Sequence, residues 1–232
     1  MSRASIPAGQ LPLPLPPLTA FGAQDFLVTT SNSAAAAWIG RWPEWGDRQA
    51  LALCGASGSG KTHLAHIALA RAGGGRMLRG DDLPKLMEDR ARPWGLMVLE
   101  DASRVAESAE HERALFHVLN SMQECRGSLL LTDTHAPVTW GVALPDLRSR
   151  VLALPLAVLA PPDDDLLAAL LLKLCRDHQM ELDRSVADFL LPRLPRDGHE
   201  LMRLVAALDA ASLAGKRKLT VPLTRDVLRD IA

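Results

Sequence analysis

Three short runs of consecutive apolar residues mark the first part of the chain. They lie within residues 50–55, 96–100 and 128–133. Runs of this length without polar alternation are typical of strands that are buried on both faces of a parallel sheet. The spacing of apolar residues between the runs predicts helices over residues 61–72 and 108–125. Strands alternating with helices predict an α/β core in which helices cover both faces of the sheet.

After Pro162 the pattern becomes helical throughout. Apolar positions recur at helical spacing in four segments, at residues 163–178, 184–194, 198–214 and 224–231. Helices that are apolar on one side bury that side against one another. The sequence therefore predicts a small all-helical domain after the α/β core.

The beginning of the chain differs from both regions. A helix is predicted over residues 33–45, with Asn32 or Ser33 as its N-cap, because short polar side chains accept hydrogen bonds from first-turn N–H groups. Before it, residues 1–20 contain five of the chain's 16 prolines, which favours an extended segment. We expect three parts: a tail at residues 1–20, a core at 21–157 and a helical domain at 158–232.

Charge and composition narrow the class of protein. Among 232 residues, 26 basic side chains face 27 acidic ones, giving a net charge of −1. No global positive field therefore draws the chain onto nucleic acid or anionic lipid. The three cysteines have no zinc-like spacing, and no apolar run reaches the length of a membrane span. We expect a cytoplasmic protein without membrane contact.

A phosphate-binding loop is predicted between the first strand and the following helix. The sequence GASGSGKT at residues 55–62 fits GxxxxGK[ST], in which glycines let successive N–H groups turn toward a phosphate. The helix N-terminus adds partial positive charge. We expect Lys61 to contact the outer phosphates and Thr62 to bind Mg²⁺. The predicted nucleotide-binding residues here are Gly55, Ala56, Ser57, Gly58, Ser59, Gly60, Lys61, Thr62 and the adjacent His63.

Acidic residues follow the second apolar run. Glu100 and Asp101 end the segment LMVLED, at the edge of a parallel sheet where ligands bind. Glu100 is the expected metal carboxylate, and Asp101 is the residue expected to polarise an attacking water. A purely helix-capping role for this pair is the alternative.

At this point the chain resembles a known family. The segments FLVTTSN, GASGSGKTHL, MVLED, LLLTD and LRSRV occur in the order found in the AAA+ module of the bacterial replication initiator DnaA. The last block, KLTVPLTRDVL, is more similar to the Hda family, the DnaA-related regulatory inactivators. The resemblance extends from Phe21 to Ile231. It implies an AAA+ P-loop core followed by a helical lid.

The resemblance also implies a contact with the β sliding clamp. QLPLPL at residues 10–15 matches the clamp-binding peptide of Hda proteins, with Gln10, Leu11, Leu13 and Leu15 as the contact residues. Proline pre-extends such a peptide and lowers the entropic cost of binding. An initiator would continue past its lid into a DNA-binding domain, for which this sequence leaves no room, so we expect no sequence-specific DNA binding.

Further roles are implied residue by residue. Asp133 matches the sensor 1 position of the family. Arg150 matches the arginine finger, which contacts the nucleotide of a neighbouring subunit, whereas Arg148 is expected to be an ordinary surface charge. Leu27 and Val28 are the suggested adenine contacts.

The lid departs from the family pattern at sensor 2. Where the family usually has arginine, this chain has His199, while Arg203 lies one turn further along and Arg196 precedes the helix. Either arginine is a candidate substitute, and the alternative is a lid that holds a γ-phosphate only weakly. The bound nucleotide is accordingly expected to be ADP or ATP, with Mg²⁺, and a stably ADP-bound protein is compatible with the sequence.

Together these features predict a negative regulator of replication initiation. The protein would bind adenine nucleotide and the DNA-loaded clamp, and Arg150 would stimulate ATP hydrolysis on DnaA. It would thus act mainly as an activator of its partner's hydrolysis. The alternatives are a helicase-loader-like or DNA-remodelling ATPase and a P-loop small-molecule kinase. Homo-oligomer formation stays open.

Overall fold

The computed structural model describes residues 26–47, 49–86, 95–215 and 218–231. The predicted tail and its residues 10–15 lie outside these ranges. The strands are β1 (Ala50–Gly55), β2 (Arg76–Arg79), β3 (Leu96–Glu100), β4 (Ser128–Asp133) and β5 (Leu156–Leu159). The helices are α1 (Ser33–Gly40), α2 (Lys61–Arg71), α3 (Leu83–Leu86), α4 (Ala109–Glu124), α5 (Pro145–Leu152), α6 (Asp164–Asp177), α7 (Arg184–Leu190), α8 (Gly198–Gly215) and α9 (Val221–Ile231).

The strands form one parallel sheet in the order β2-β3-β4-β1-β5. Successive side chains of a strand point to opposite faces. In β1, Leu51 and Leu53 therefore join α1 and α2 in one apolar layer. Ala50 and Ala52 join α4 and α5 in the other. The predicted α/β core with helices on both faces is confirmed, and the continuous apolar runs are explained by two separate layers.

The C-terminal helices α6–α9 enclose a third apolar cluster of their own. It includes Leu171 and Cys175 of α6, Leu190 of α7 and Leu201 and Val205 of α8. This is the predicted all-helical domain, and we call it the lid. Within the described ranges, none of the helices has the length and apolarity needed to cross a membrane.

Two edge strands were not predicted. β2 has the sequence RMLR, and β5 leaves Leu156 and Val158 exposed on one face. β2 contains only two apolar residues, and the apolar run LAVL of β5 is too short to be distinguished from a helical segment by periodicity. β5 also carries the sheet to Leu159, two residues beyond the predicted end of the core at residue 157.

The first helix is shorter than predicted. α1 ends at Gly40, and Pro43 follows, which cannot continue a helix. Trp45, predicted as helical, folds back instead, and its buried indole donates a 2.8 Å hydrogen bond to the Trp38 carbonyl. Asn32 occupies the N-cap position without a side-chain cap bond. Its amide instead donates to the Leu27 carbonyl at 2.8 Å.

Two lid helices also differ from their predicted ends. α7 stops at Leu190 and continues as a 3₁₀ turn over Leu191–Arg193, where Pro192 removes a helical N–H donor. α9 begins at Val221 rather than residue 224. Pro222 lies in its first turn, where the missing N–H costs little.

A buried carboxylate joins α4 to the segment that begins α5. Glu112 is 4% exposed, and its two oxygens accept hydrogen bonds from the N–H groups of Ala143 (2.6 Å) and Leu144 (2.7 Å). Hydrogen bonds to a charged acceptor are among the stronger ones in proteins. Glu112 therefore fixes where α5 starts.

We expect Glu112→Ala to lower the free energy of unfolding by about 3 kcal/mol, because it leaves two backbone donors without their acceptor. Urea denaturation measures this loss. Glu110→Ala is the control, since Glu110 lies exposed in the same helical turn and its loss is expected to cost less than about 1 kcal/mol. Equal losses in the two variants would contradict the buried role of Glu112.

Candidate functional site

The loop between β1 and α2 turns sharply at two glycines. Gly58 has φ +67° and Gly60 has φ +101°, which is the left-handed region that side chains disfavour. α2 then begins at Lys61, so its N-terminal dipole points toward the loop. A strand, a glycine-rich turn and a helix N-terminus together provide the backbone geometry of a phosphate site.

The Lys61 side chain lies over this loop. Its ammonium donates hydrogen bonds to the carbonyl oxygens of Gly55 (2.7 Å) and Ala56 (2.8 Å). Burial lowers the pKa of Lys61, and the nearby carboxylates of Asp133 and Asp101 act in the opposite direction. The ammonium thus lies in a partly desolvated position, where a phosphate oxygen is a strong partner.

The two predicted metal ligands are in contact. The Thr62 hydroxyl donates a 2.6 Å hydrogen bond to the Glu100 carboxylate, which ends β3. Hydroxyl and carboxylate oxygens suit Mg²⁺, which binds through one or two protein oxygens together with waters and substrate phosphates. Among the described residues, no group of three or more His, Cys, Asp or Glu side chains is arranged so that it could hold a metal ion. The pair therefore fits a magnesium ion shared with a phosphate.

Asp101 is engaged with a neighbouring strand end. Its backbone is left-handed at φ 51°, and its carboxylate accepts a 2.5 Å hydrogen bond from Arg79 at the end of β2. The Asp101 and Arg79 side chains are 45% and 59% exposed, so this ion pair contributes little stabilising free energy.

Asp133 ends β4 and is 3% exposed. One of its oxygens accepts a hydrogen bond from the Ser103 N–H (2.7 Å), and the other accepts from the His135 N–H (2.9 Å). The carboxylate therefore ties the turn after β3 to the turn after β4. This places the predicted sensor residue between the two strand ends.

An aromatic side chain borders the loop on the other side. The Phe26 ring lies edge-on to the His63 ring, with centroids 5.2 Å apart, and a side chain at Gly60 would begin 3.3 Å from it. The Leu27 carbonyl is bound by Asn32, and Val28 is 58% exposed. Phe26 thus contacts the loop directly, a role not assigned to it from the sequence.

The lid contacts the loop through backbone. The Gly198 N–H, which starts α8, donates a 3.2 Å hydrogen bond to the Gly58 carbonyl. A side chain at Gly58 would begin 2.6 Å from the Gly198 nitrogen, and one at Gly198 would begin 2.5 Å from the Gly58 oxygen. Only two glycines allow the lid and the phosphate loop to approach this closely.

The lid residues predicted to bind nucleotide lie around this contact. His199 is exposed in the first turn of α8. Arg196 donates to the Pro162 carbonyl (2.8 Å) and to Asp164 (2.7 Å). Arg203 is 72% exposed and lies 3.6 Å from Glu200. Both arginine side chains therefore contact groups of the lid.

Arg150 lies apart from the loop, in the last turn of α5. Its guanidinium donates a 2.5 Å hydrogen bond to the Asn120 side chain and stacks on Phe116, with 4.5 Å from guanidinium carbon to ring centroid. Within the described part of the chain it forms no ion pair with an acid. Arg148, two residues earlier, is exposed.

Sequence reasoning missed three groups of contacts: Phe26 at the loop, Asn120 and Phe116 under Arg150, and the residues before α8. Glu112, Phe116 and Asn120 are four residues apart and share one face of α4, but this spacing does not indicate that Arg150 of α5 packs against that face. The two glycines that meet lie 140 positions apart in the chain, and no local pattern predicts such a contact.

Comparison with known proteins places this geometry in a family context. Residues 163–228 match the family model of the Hda lid domain. Domain III of the Thermotoga maritima replication initiation protein DnaA superimposes with a TM-score of 0.77 at 17% identity, covering 94% of this chain and 99% of that one.

Two longer proteins share the fold. AMPPCP-bound DnaA from Aquifex aeolicus matches with a TM-score of 0.68 at 19% identity over 83% of this chain and 66% of that one. The Thermotoga maritima RuvB Holliday junction branch migration motor matches with a TM-score of 0.64 at 17% identity over 84% and 65%. This chain thus spans slightly less than two thirds of those proteins. The AAA+ fold and the resemblance to the Hda family are confirmed.

Proposed function

Since the chain carries a lid domain of the Hda family on an AAA+ core with the fold of DnaA domain III, we propose that it is a regulator of replication initiation. In this proposal it binds adenine nucleotide between core and lid, binds the DNA-loaded β sliding clamp through residues 10–15, and stimulates ATP hydrolysis on DnaA. The observation that carries the proposal is Arg150, an arginine without an acidic partner among the described residues of a DnaA-related chain.

Nucleotide binding is supported by the loop and by a related protein. The turn at Gly58 and Gly60, the N-terminus of α2 and the Lys61 ammonium offer donors and positive charge to phosphates. The Aquifex aeolicus DnaA of the same fold is bound to AMPPCP. Thr62 and Glu100 would hold Mg²⁺, which neutralises phosphate charge when bound.

The chain's own hydrolysis is proposed to be slow. Asp101, the residue expected to polarise water, accepts a hydrogen bond from Arg79. A carboxylate held in this way is less available as a base toward an attacking water. The protein would therefore act on its partner's nucleotide more than on its own.

Arg150 would supply the stimulating charge in trans. A guanidinium has five N–H donors, and the Asn120 bond occupies one of them while Phe116 supports its face. The guanidinium is thus oriented by uncharged groups and keeps its full charge. That combination favours binding of γ-phosphate oxygens on a neighbouring protein.

A motor ATPase is the second candidate, because the RuvB branch migration motor has the same fold. Such an enzyme would show ATPase activity that rises when DNA is added. The proposed regulator would show a low activity that DNA leaves unchanged. A small-molecule kinase would leave the lid contact and Arg150 without a role.

We expect Lys61→Ala to weaken ADP and ATP binding at least tenfold, because it removes the charged side chain of the phosphate loop. Isothermal titration calorimetry measures both affinities. Lys173→Ala is the control, since Lys173 lies in α6 and pairs with Asp177 of the same helix. Unchanged nucleotide affinity in the Lys61 variant would rule out this loop as the phosphate site.

We expect Arg150→Ala to keep folding and ADP binding and to remove the stimulation of DnaA. An arginine finger supplied in trans accelerates hydrolysis by about 10³ to 10⁵. A surface salt bridge contributes only about 0–1 kcal/mol of stability, so a purely structural Arg150 would leave the hydrolysis rate nearly unchanged. The measurement is the time course of ATP bound to DnaA in the presence of clamp loaded on DNA. Arg148→Ala is the matched control on the same helix and should stimulate hydrolysis as the wild type does. If the Arg150 variant stimulates hydrolysis as well as the Arg148 variant, Arg150 has only a structural role.

The tail requires its own experiment, because residues 10–15 lie outside the described ranges. We expect Gln10→Ala combined with Leu13→Ala to abolish clamp binding while nucleotide affinity stays unchanged, since the peptide is separate in sequence from the folded domains. A pull-down with purified clamp measures binding. Wild-type retention of the clamp by the double variant would refute the assignment of the peptide.

A further inference from the structure

The two edges of the sheet differ in their charge. β2 has an arginine at each end, Arg76 and Arg79, and charged side chains on an edge strand oppose pairing with a further strand. β5 has the uncharged sequence LAVL, with Leu156 42% and Val158 53% exposed. An exposed apolar edge without charges favours the addition of another strand. β5 is therefore the edge at which the sheet can be extended.

The backbone of β5 offers hydrogen-bonding groups on its outer side. The Ala52 N–H of β1 donates to the Pro155 carbonyl at 2.9 Å, and Ala52 lies opposite Leu156. Alternate residues of a paired strand turn their N–H and C=O groups to opposite sides, so those of Leu156 and Val158 point away from β1. Within the described residues these groups have no backbone partner. β5 thus presents donors and acceptors beside its two exposed side chains.

The tail has a sequence pattern that fits one such edge. Leu11, Leu13 and Leu15 each precede a proline in LPLPLP at residues 11–16, and a residue before proline favours an extended backbone. In an extended strand the three leucine N–H groups point to one side, while the prolines, which have no N–H, lie along the other. Proline is tolerated in a sheet where its nitrogen faces away from the neighbouring strand. The segment can therefore pair through its leucine side.

The position at which the described chain begins brings this segment within reach. Phe26 borders the phosphate loop, which follows β1 at the end of the sheet where β5 also ends. The Ser31 carbonyl accepts a 3.3 Å hydrogen bond from the Ala160 N–H, just beyond β5. Residues 16–25 can span up to about 33 Å, whereas a strand as short as β5 is only about 13 Å long. This linker allows residues 11–15 to lie along β5 in either direction.

We propose that residues 11–15 of the chain pair with β5 in the antiparallel direction, as a sixth strand of the sheet. In an antiparallel pair, residues that exchange hydrogen bonds lie opposite each other with their side chains on the same face. The tail leucines would then pack beside Leu156 and Val158 and cover them.

The added strand would also restrain the tail's other proposed contact. Residues 10–15 are the proposed clamp peptide, so a tail paired with β5 is withheld from the clamp until the clamp displaces it. This second step rests on the proposed function, whereas the added strand itself does not. The contact would be autoinhibitory, because one segment cannot occupy both partners at once.

Amide hydrogen exchange of the full chain, followed by NMR, tests the added strand. We expect the Leu156 and Val158 amides to be protected in the wild type. Leu13→Pro removes the central donor of the tail and should accelerate their exchange about tenfold or more, while the Ala157 amide, on the β1 side, stays unchanged. Leu18→Pro is the matched control, since it removes a donor outside the paired segment, and should exchange as the wild type does.

Rapid exchange at Leu156 and Val158 in the wild type would overturn the inference. Unchanged protection in the Leu13 variant would overturn it as well, since another segment would then cover the edge. Protection that increases with protein concentration would assign the edge to a second copy of the chain and equally exclude the tail.

Clamp affinity tests the autoinhibitory contact. We expect Val158→Asp to bind purified clamp about threefold more tightly, because a charge on β5 disfavours the added strand and raises the fraction of chains with an available peptide. Val138→Asp is the matched control, since Val138 is 71% exposed outside the sheet, and should bind as the wild type does. Equal affinities of the two variants would overturn the autoinhibitory contact. A wild type that protects Leu156 and Val158 but does not bind the clamp would support the sixth strand and reject the proposed clamp peptide.

Discussion

All strands of the sheet run in one direction, and the candidate site depends on this. Parallel strands bring their carboxyl ends to a single edge. In the observed register Cys54, the last residue before the phosphate loop, pairs with Asp133, and Glu100 pairs with Arg79. The loop and the acidic residues therefore converge although they come from distant parts of the sequence. An antiparallel arrangement would divide the same residues between two edges.

Sequence patterning predicted the parts of the fold that are buried on both faces. β1, β3 and β4 lie in the middle of the sheet, so each reads as a continuous apolar run. The edge strands β2 and β5 are only four residues long: RMLR has two apolar residues, and LAVL is apolar but too short to be told from a helical segment. Trp45 was also misassigned. It follows the end of α1 and packs into the core, and an apolar residue in this position cannot be distinguished from a helical one by pattern alone.

The candidate site was likewise predictable only in part. The glycine-rich turn before α2 could be predicted because its geometry depends on local glycines and a helix start, and Thr62 and Glu100, proposed as metal ligands, lie in contact. The environment of Arg150 could not, because Asn120 lies on a different helix. Family resemblance suggested a role for Arg150, while packing determines which neutral groups orient it. Pairing of α4 with α5 thus connects the buried carboxylate of Glu112 to the direction of a charged side chain at the surface.

The meeting of Gly58 and Gly198 makes the joint between core and lid unusually rigid at one point. Elsewhere, domains touch through side chains, which rotate and absorb small displacements. Here backbone contacts backbone, so no flexible side chain lies between the two glycines to absorb a shift of the phosphate loop. A displacement of the loop would therefore be passed directly to the first turn of α8 and, through that helix, to the rest of the lid.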